Sequence, residues 1–329
     1  MGDEVPPYLR SGRSTHCQLK PSSQVIAVLQ AIFVTVLWAS SWVLIKFGLR
    51  ASLPALTFAG LRYVLAFLCL MPLVLLSPVH RAAVKSLTRR DWGRLAILGI
   101  FFYTLTQGSQ FLSLAFLPAA MVSLLLNLTP LVVGVFGIIF LREHPSTGQW
   151  LGILLTVVGV AVFFLPLDVR ALSLIGLLVA SGGVISNGVS SLLGREVNRL
   201  ANSSPLIVTF TSMGIGSVVL LLVGILVQGF GELDLQGWML IAWLAVVNTA
   251  FAFTLWNHTL RTLSAVESSI INSLMMPQIA VLAFLFLGEA LSIKEIVGLI
   301  MVSLGVIVVQ LQRKPSQYAE ASPTESKAS

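Results

Sequence analysis

Long apolar runs separated by short polar stretches set the character of this chain. Runs of about 20 residues, the length that crosses a hydrocarbon core, begin near Val25, Ala55, Leu95, Pro118, Thr147, Leu172, Pro205, Gln236, Ser264 and Ser292. Backbone in lipid must satisfy its own hydrogen bonds, so runs this long read as helices. The period-two alternation of a membrane β-barrel is absent. The pattern predicts an all-α polytopic membrane protein with ten transmembrane helices.

Composition sharpens this picture. Of the 329 residues 56% are hydrophobic and 10% charged, where soluble domains carry about 25% charged residues. Lys and Arg in the loops orient the spans. An even number of spans puts both termini on one side, taken as cytoplasmic. Only Arg50, Arg170 and Lys294 then fall in outer loops and Lys46 and Arg62 within spans, and the rest of the 20 basic residues lie inside. Orientation thus accounts for the net charge of +7 without nucleic acid. Residues 1–24 read as a cytoplasmic tail before an anchor too long for a signal-peptide core. Residues 313–329 read as a polar, disordered cytoplasmic tail. Cys17 and Cys69 fall in different settings and do not pair, and no metal-ligand spacing exists.

The chain also repeats itself. A shift of 146 residues lays "LPAAMVSLLLNLTPLVVGVFGIIFLREHPSTGQWLGILLTVVGV" over "LSAVESSIINSLMMPQIAVLAFLFLGEALSIKEIVGLIMVSLGV". Ala119 falls on Ala265, Ser123 on Ser269, Glu143 on Glu289, Gly152 on Gly298 and Gly159 on Gly305. Pro130 and Pro277 miss by one position, and the earlier helices repeat less clearly. The expected units are residues 25–165 and 172–312. Five helices per unit is an odd number, so the second unit enters the membrane upside down. Two inverted five-helix repeats are typical of secondary transporters.

Here the chain resembles the EamA-type branch of the drug/metabolite transporter superfamily. The resemblance is carried by "WASSWVLIKFGL", "LRYVL", "LSLAFLPAAMVSLLLNLTPL…LREHPS", "LWNHTLRTLSAVESSIINSLMMPQIAVLAFLFLGEALS" and "GLIMVSLGV". It covers about residues 25–312 and is weakest in the sixth and seventh spans. It implies a ten-helix carrier of small metabolites, often an exporter, working by alternating access in a cell membrane. It names no substrate.

Polar residues at membrane depth are the candidate site. Pro130 and Pro277 lie roughly 18 and 20 Å deep from opposite faces, and each frees the carbonyl four residues earlier. Near them lie Asn127, Thr129, Ser269, Asn272 and Ser273. The third span adds Gln107 and Gln110, which share one face at i,i+3. The eighth adds Asn248, Trp256, Asn257 and His258. Each of these could also be glue between helices. Lys46 and Arg62 stand on the outer side of the first two spans with no acid expected at their depth. Lys46 could reach water along its stem; together the pair reads as facing a wet cavity or an anionic group such as a substrate carboxylate. Glu143 and Glu289 are expected to cap the helices that follow them. Glu267, and after it His258, are the candidates for proton coupling. Trp38, Trp42, Trp92, Trp150 and Trp238 read as interfacial anchors.

An intramembrane enzyme would need a nucleophile with a base, or a metal site, and the chain offers neither. A receptor would leave the repeat unexplained. Phosphorylated substrates call for several cavity cations, so a sugar-phosphate or nucleotide-sugar exchanger is the second choice. The first is a carrier of a small polar or amphipathic, amino-acid-like metabolite. The expected partners are this small-molecule substrate and membrane lipid, with no nucleic acid and no cofactor; a homodimer is compatible with the reading.

Overall fold

The computed structural model describes residues 21–129, 131–133, 146–164, 173–200, 205–259, 262–263, 271–272 and 274–311. Pro130, Glu143, Glu267, Ser269, Ser273 and residues 1–20 and 312–329 lie outside the described residues, as does the side chain of Asn257; residues 21–24, expected in the tail, belong to the first helix. Among the described residues the chain forms helices and no strand. They are α1 (Pro21–Arg50), α2 (Ala55–Leu75), α3 (Pro78–Lys85) and α4, which spans Arg89–Phe116. Then come α5 (Ala119–Leu126), α6 (Thr147–Phe164), α7 (Leu174–Leu200) and α8 (Pro205–Gln228). The helix α9 runs through Leu235–Ala245, Val246–Phe251 and Ala252–Thr259, followed by α10 (Met275–Leu287) and α11 (Ile293–Leu311). Six of these, α1, α2, α4, α7, α8 and α9, are long and apolar enough to cross a membrane. The helices α5, α6 and α10 are shorter and equally apolar.

Polar residues mark where helices start. Thr88 and Asp91 form a reciprocal capping box at α4, and Asp234 accepts from the Gly237 amide at α9. Both arrangements satisfy N–H groups that a first turn leaves without a partner. Inside α4 and α9 the backbone widens into π-helical turns, at Ile100–Gln107 and Val246–Phe251. The 146-residue shift carries Thr88 onto Asp234 and Ile100 onto Val246. The repeat that is faint in the sequence of these helices is therefore written in their caps and distortions.

Contacts between helices are reciprocal. In α6 against α11, a Cβ on Gly152 would lie 2.7 Å from the Gly305 carbonyl oxygen, and one on Gly159 2.9 Å from that of Gly298. In α2 against α8, a Cβ on Gly60 would meet Leu221 backbone at 2.5 Å, and one on Gly224 the Thr57 amide at 2.5 Å. Each pair runs antiparallel, since a rise along one helix meets a fall along the other. Lipid supplies no hydrophobic drive for helix association, so close backbone approach at small residues is what holds such seams.

Apolar side chains such as Val25, Leu29 and Phe33 of α1 and Phe284 and Leu285 of α10 stay exposed, as a lipid-facing surface requires. Trp92, Trp150 and Trp238 are also exposed. Trp42 is not an anchor: it is buried in the main core. Trp38 packs inside as well, its ring centroid 5.2 Å from those of Phe253 and Trp256.

If the glycine seams hold the bundle, Gly159→Val should cost about 1–3 kcal/mol by overpacking and lower the melting midpoint of the purified protein in detergent. Gly182→Ala, where a Cβ would meet nothing within 4 Å, should leave the midpoint unchanged or higher.

Candidate functional site

The π turns of α4 and α9 converge on two neighbouring residues of α2, Arg62 and Tyr63. Arg62 is 4% exposed and is the one charged side chain buried among the described residues. Its Nε donates to the Thr249 hydroxyl at 3.2 Å. Thr249 sits in the π turn of α9 and donates that hydroxyl to the Leu244 carbonyl, five residues back. The guanidinium carbon lies 5.2 Å from the Tyr63 ring centroid and 5.9 Å from that of Phe111. Tyr63 donates to the Gln107 side-chain carbonyl at 2.7 Å, at the end of the α4 π turn. Such turns occur often at functional sites because they re-aim side chains.

No carboxylate among the described residues pairs with Arg62; an ion pair joins Arg94 and Glu196 at 3.7 Å, between α4 and the end of α7. A buried cation without a counter-charge is costly. Two aromatic faces recover part of that cost.

Lys46 and Arg62, read together from the sequence, have separate partners. Lys46 donates to the Leu117 carbonyl at 2.6 Å, two residues before the Ala119 amide that Glu289 caps. The expectation that no acid reaches this depth is also corrected. Glu289 does not cap α11, the helix that follows it. Its two carboxylate oxygens accept from the Ala119 amide at 3.0 and 2.9 Å, and one from Ala120 at 3.4 Å, so it caps α5. The start of α11 is instead capped by Ser292 and Glu295.

Around the helix breaks the polar residues are mostly engaged. The Asn127 amide donates to Ser123 O at 2.8 Å, and the Thr129 hydroxyl to Leu126 O at 2.6 Å. The latter fills the carbonyl that a proline at position 130 releases. Thr129 in turn accepts from Asn187 of α7 at 3.0 Å. Asn248 donates to Leu37 O and to the Ser40 hydroxyl. Pro277 lies in the first turn of α10, which begins only at Met275, so its missing N–H costs little there. With Gln278, Val36, Leu274, Val281 and Leu282 it lines a groove of about 350 Å³ between α1 and α10. Gln278 donates to Thr35 at 3.2 Å, while its Oε1 is buried without a protein partner.

Gln110 is half-buried and stands outside the Arg62–Tyr63–Gln107 chain, Trp256 stacks on Trp38, and Asn272 and His258 are exposed. Sequence reasoning passes over Tyr63, Thr249, Asn187 and Gln278. The available signals were a polar residue beside Arg62, one beside Asn248, a lone Asn in the sixth run and an amide beside Pro277.

A family model of the EamA-like transporter family matches the chain twice, over residues 25–165 and 174–311. The chain belongs to the EamA-like transporter family. It is 26% identical to the uncharacterized transporter YvbV of Bacillus subtilis, over 94% of this chain and 100% of that one. It is 25% identical to a probable terminal-alkyne amino-acid exporter of Streptantibioticus cattleyicolor, over 90% and 97%. A solved crystal structure at 18% identity shares the fold, with a TM-score of 0.59 over 89% of this chain and 98% of that one. The chain is therefore a multi-pass membrane transport protein of small solutes, not an enzyme.

Removing the acceptor of a buried charged donor costs about 1.5–3 kcal/mol. Thr249→Val should lower the melting midpoint accordingly, whereas Thr254→Val, exposed and bonded only to its own helix at Ala250, should hardly move it.

Proposed function

We propose that this protein is a ten-helix secondary transporter, built as two inverted five-helix repeats, which moves a small amino-acid-like metabolite by alternating access, in the direction of export. The carrying observation is Arg62, a buried cation at the meeting point of two π turns, with one hydrogen bond and no carboxylate among the described residues. A substrate carboxylate completes its charge balance, and bidentate pairing with a guanidinium would fix its orientation. The reciprocal antiparallel seams support the inverted repeat, which lets one central site open alternately to either side. The Streptantibioticus relative, a probable terminal-alkyne amino-acid exporter, supports both the substrate class and the direction.

The single buried cation also separates this reading from its rival. Sugar phosphates and nucleotide sugars carry more charge than one guanidinium neutralises, and Lys46 is held elsewhere by Leu117. The excess of Lys and Arg in the loops on one side supports a cytoplasmic position for both termini.

The test is a thermal-shift screen of the purified protein against amino acids, sugar phosphates, nucleotide sugars and lipophilic cations, with Arg62→Gln alongside. Ligand at a hundred times its Kd adds about 2.7 kcal/mol to stability. An amino acid should raise the midpoint of the native protein and fail on Arg62→Gln. Equal stabilisation of both would make Arg62 a packing residue, and a response confined to phosphorylated compounds would favour the exchanger.

A further inference from the structure

The end of the bundle where α1 finishes is tied together by three contacts between segments far apart in the chain. Lys46 Nζ donates to Leu117 O at 2.6 Å, and Arg50 Nη2 to Leu287 O at 3.0 Å. Glu289 accepts from the Ala119 and Ala120 amides. Every backbone partner is a group that a helix end leaves without an intrahelical bond. Leu117 follows the last residue of this part of α4, Leu287 closes α10, and Ala119 and Ala120 open α5. The signs are complementary as well: cations meet the negative ends of α4 and α10, and the carboxylate meets the positive end of α5.

These contacts differ in kind from the glycine seams. Separating α6 from α11 would expose backbone packed within van der Waals distance, with nothing in lipid to replace it. Separating α1, α5 and α10 at this end leaves every helix intact, and water can take over each released donor and acceptor at modest net cost. The contacts are strong enough to hold one arrangement and cheap enough to exchange for another. Arg62 lies seven residues into α2 from this same end, about 10 Å along the axis. The sequence shift that relates the halves also duplicates both residue types, Glu143 for Glu289 and Ala265 for Ala119.

We propose that Glu289, supported by Lys46 and Arg50, is a latch that holds this end of the bundle closed, and that its release opens the path toward Arg62 from that side. The proposal rests on the alternating-access reading and makes Glu289 a conformational switch rather than a substrate ligand.

The experiment measures how fast a polar maleimide labels single cysteines in full-length protein carrying Cys17→Ser and Cys69→Ser, with no substrate present. One reporter is Gln110→Cys, half-buried on α4 and seven residues from Leu117, so at about the depth of Arg62. The other is Thr156→Cys, buried in the α6–α11 seam. Loss of a helix cap and its charge is worth about tenfold in a conformational equilibrium. Glu289→Ala should therefore speed labelling at Gln110→Cys roughly tenfold and leave Thr156→Cys unchanged. Lys46→Met and Glu289→Gln should act in the same direction with smaller effect, and they serve if the alanine variant does not fold. Unchanged labelling at Gln110→Cys overturns the latch. Faster labelling at both reporters also overturns it, because Glu289 is then a general stabiliser. Since no ligand is involved, failure to find an amino-acid substrate would bear on the proposed function and not on this result.

Discussion

Close backbone approach at glycine is the constraint on which this bundle rests. Helices in lipid gain nothing by hiding apolar side chains from one another, because the surrounding chains are equally apolar. What remains is dispersion, which falls off within a fraction of an ångström. At Gly152, Gly159, Gly298 and Gly305 the backbones of α6 and α11 lie so close that one methyl group would collide with a facing carbonyl. Gly60 and Gly224 do the same for α2 and α8. Gly99 and Gly216 bring α4 and α8 together in the same way, so such contacts run through several helices of the bundle.

Rigid seams leave movement and chemistry to other places, and the backbone shows where. The π turns of α4 and α9 bring Thr249 and Gln107 to the Arg62–Tyr63 pair, which a regular helix would meet in a different phase. Such turns loosen the hydrogen-bond ladder, and buried hydroxyls make good part of the loss: Thr106 and Thr249 each donate to the carbonyl five residues back. The break after α5 is handled likewise, with Asn127 and Thr129 turned onto their own backbone. Many polar residues at membrane depth thus support the broken helices, and fewer remain to face a solute.

The sequence reveals the class and the repeat for a simple reason. Hydropathy over 20 residues is a local property, and a lipid solvent permits one kind of answer to it. The glycines seven apart in "GILLTVVG" and "GLIMVSLG" are local too, and they lie in the seam their spacing suggests. The site is harder to read because its contacts are not local. Lys46 and Arg62 look like a pair on adjacent spans, yet their partners lie 71 and 187 residues away. Glu289 stands directly before α11, where capping is the economical reading, but Ser292 and Glu295 already provide a local box. A second acid at that turn has nothing to cap on its own helix, and it reaches α5 across 170 residues. The surplus of capping groups was visible in "GEALSIKE"; their destination was not.

Charge balance links these separate contacts. Of the two basic residues placed within spans, Lys46 is held at a helix end, bonded to Leu117 O beside the amides that Glu289 caps. At Arg62, two aromatic faces and one hydroxyl stabilise a guanidinium but do not cancel its charge. A fully compensated Arg62 would gain nothing by meeting an anion, and an Arg62 in water would have little left to gain. Buried, bonded once and without a carboxylate among the described residues, it is where the proposed substrate carboxylate would meet a counter-charge. The same anion bound elsewhere would have to be desolvated without that return. On the proposed reading, the charge left at Arg62, with no acid paired to it among the described residues, favours a solute that carries a negative group.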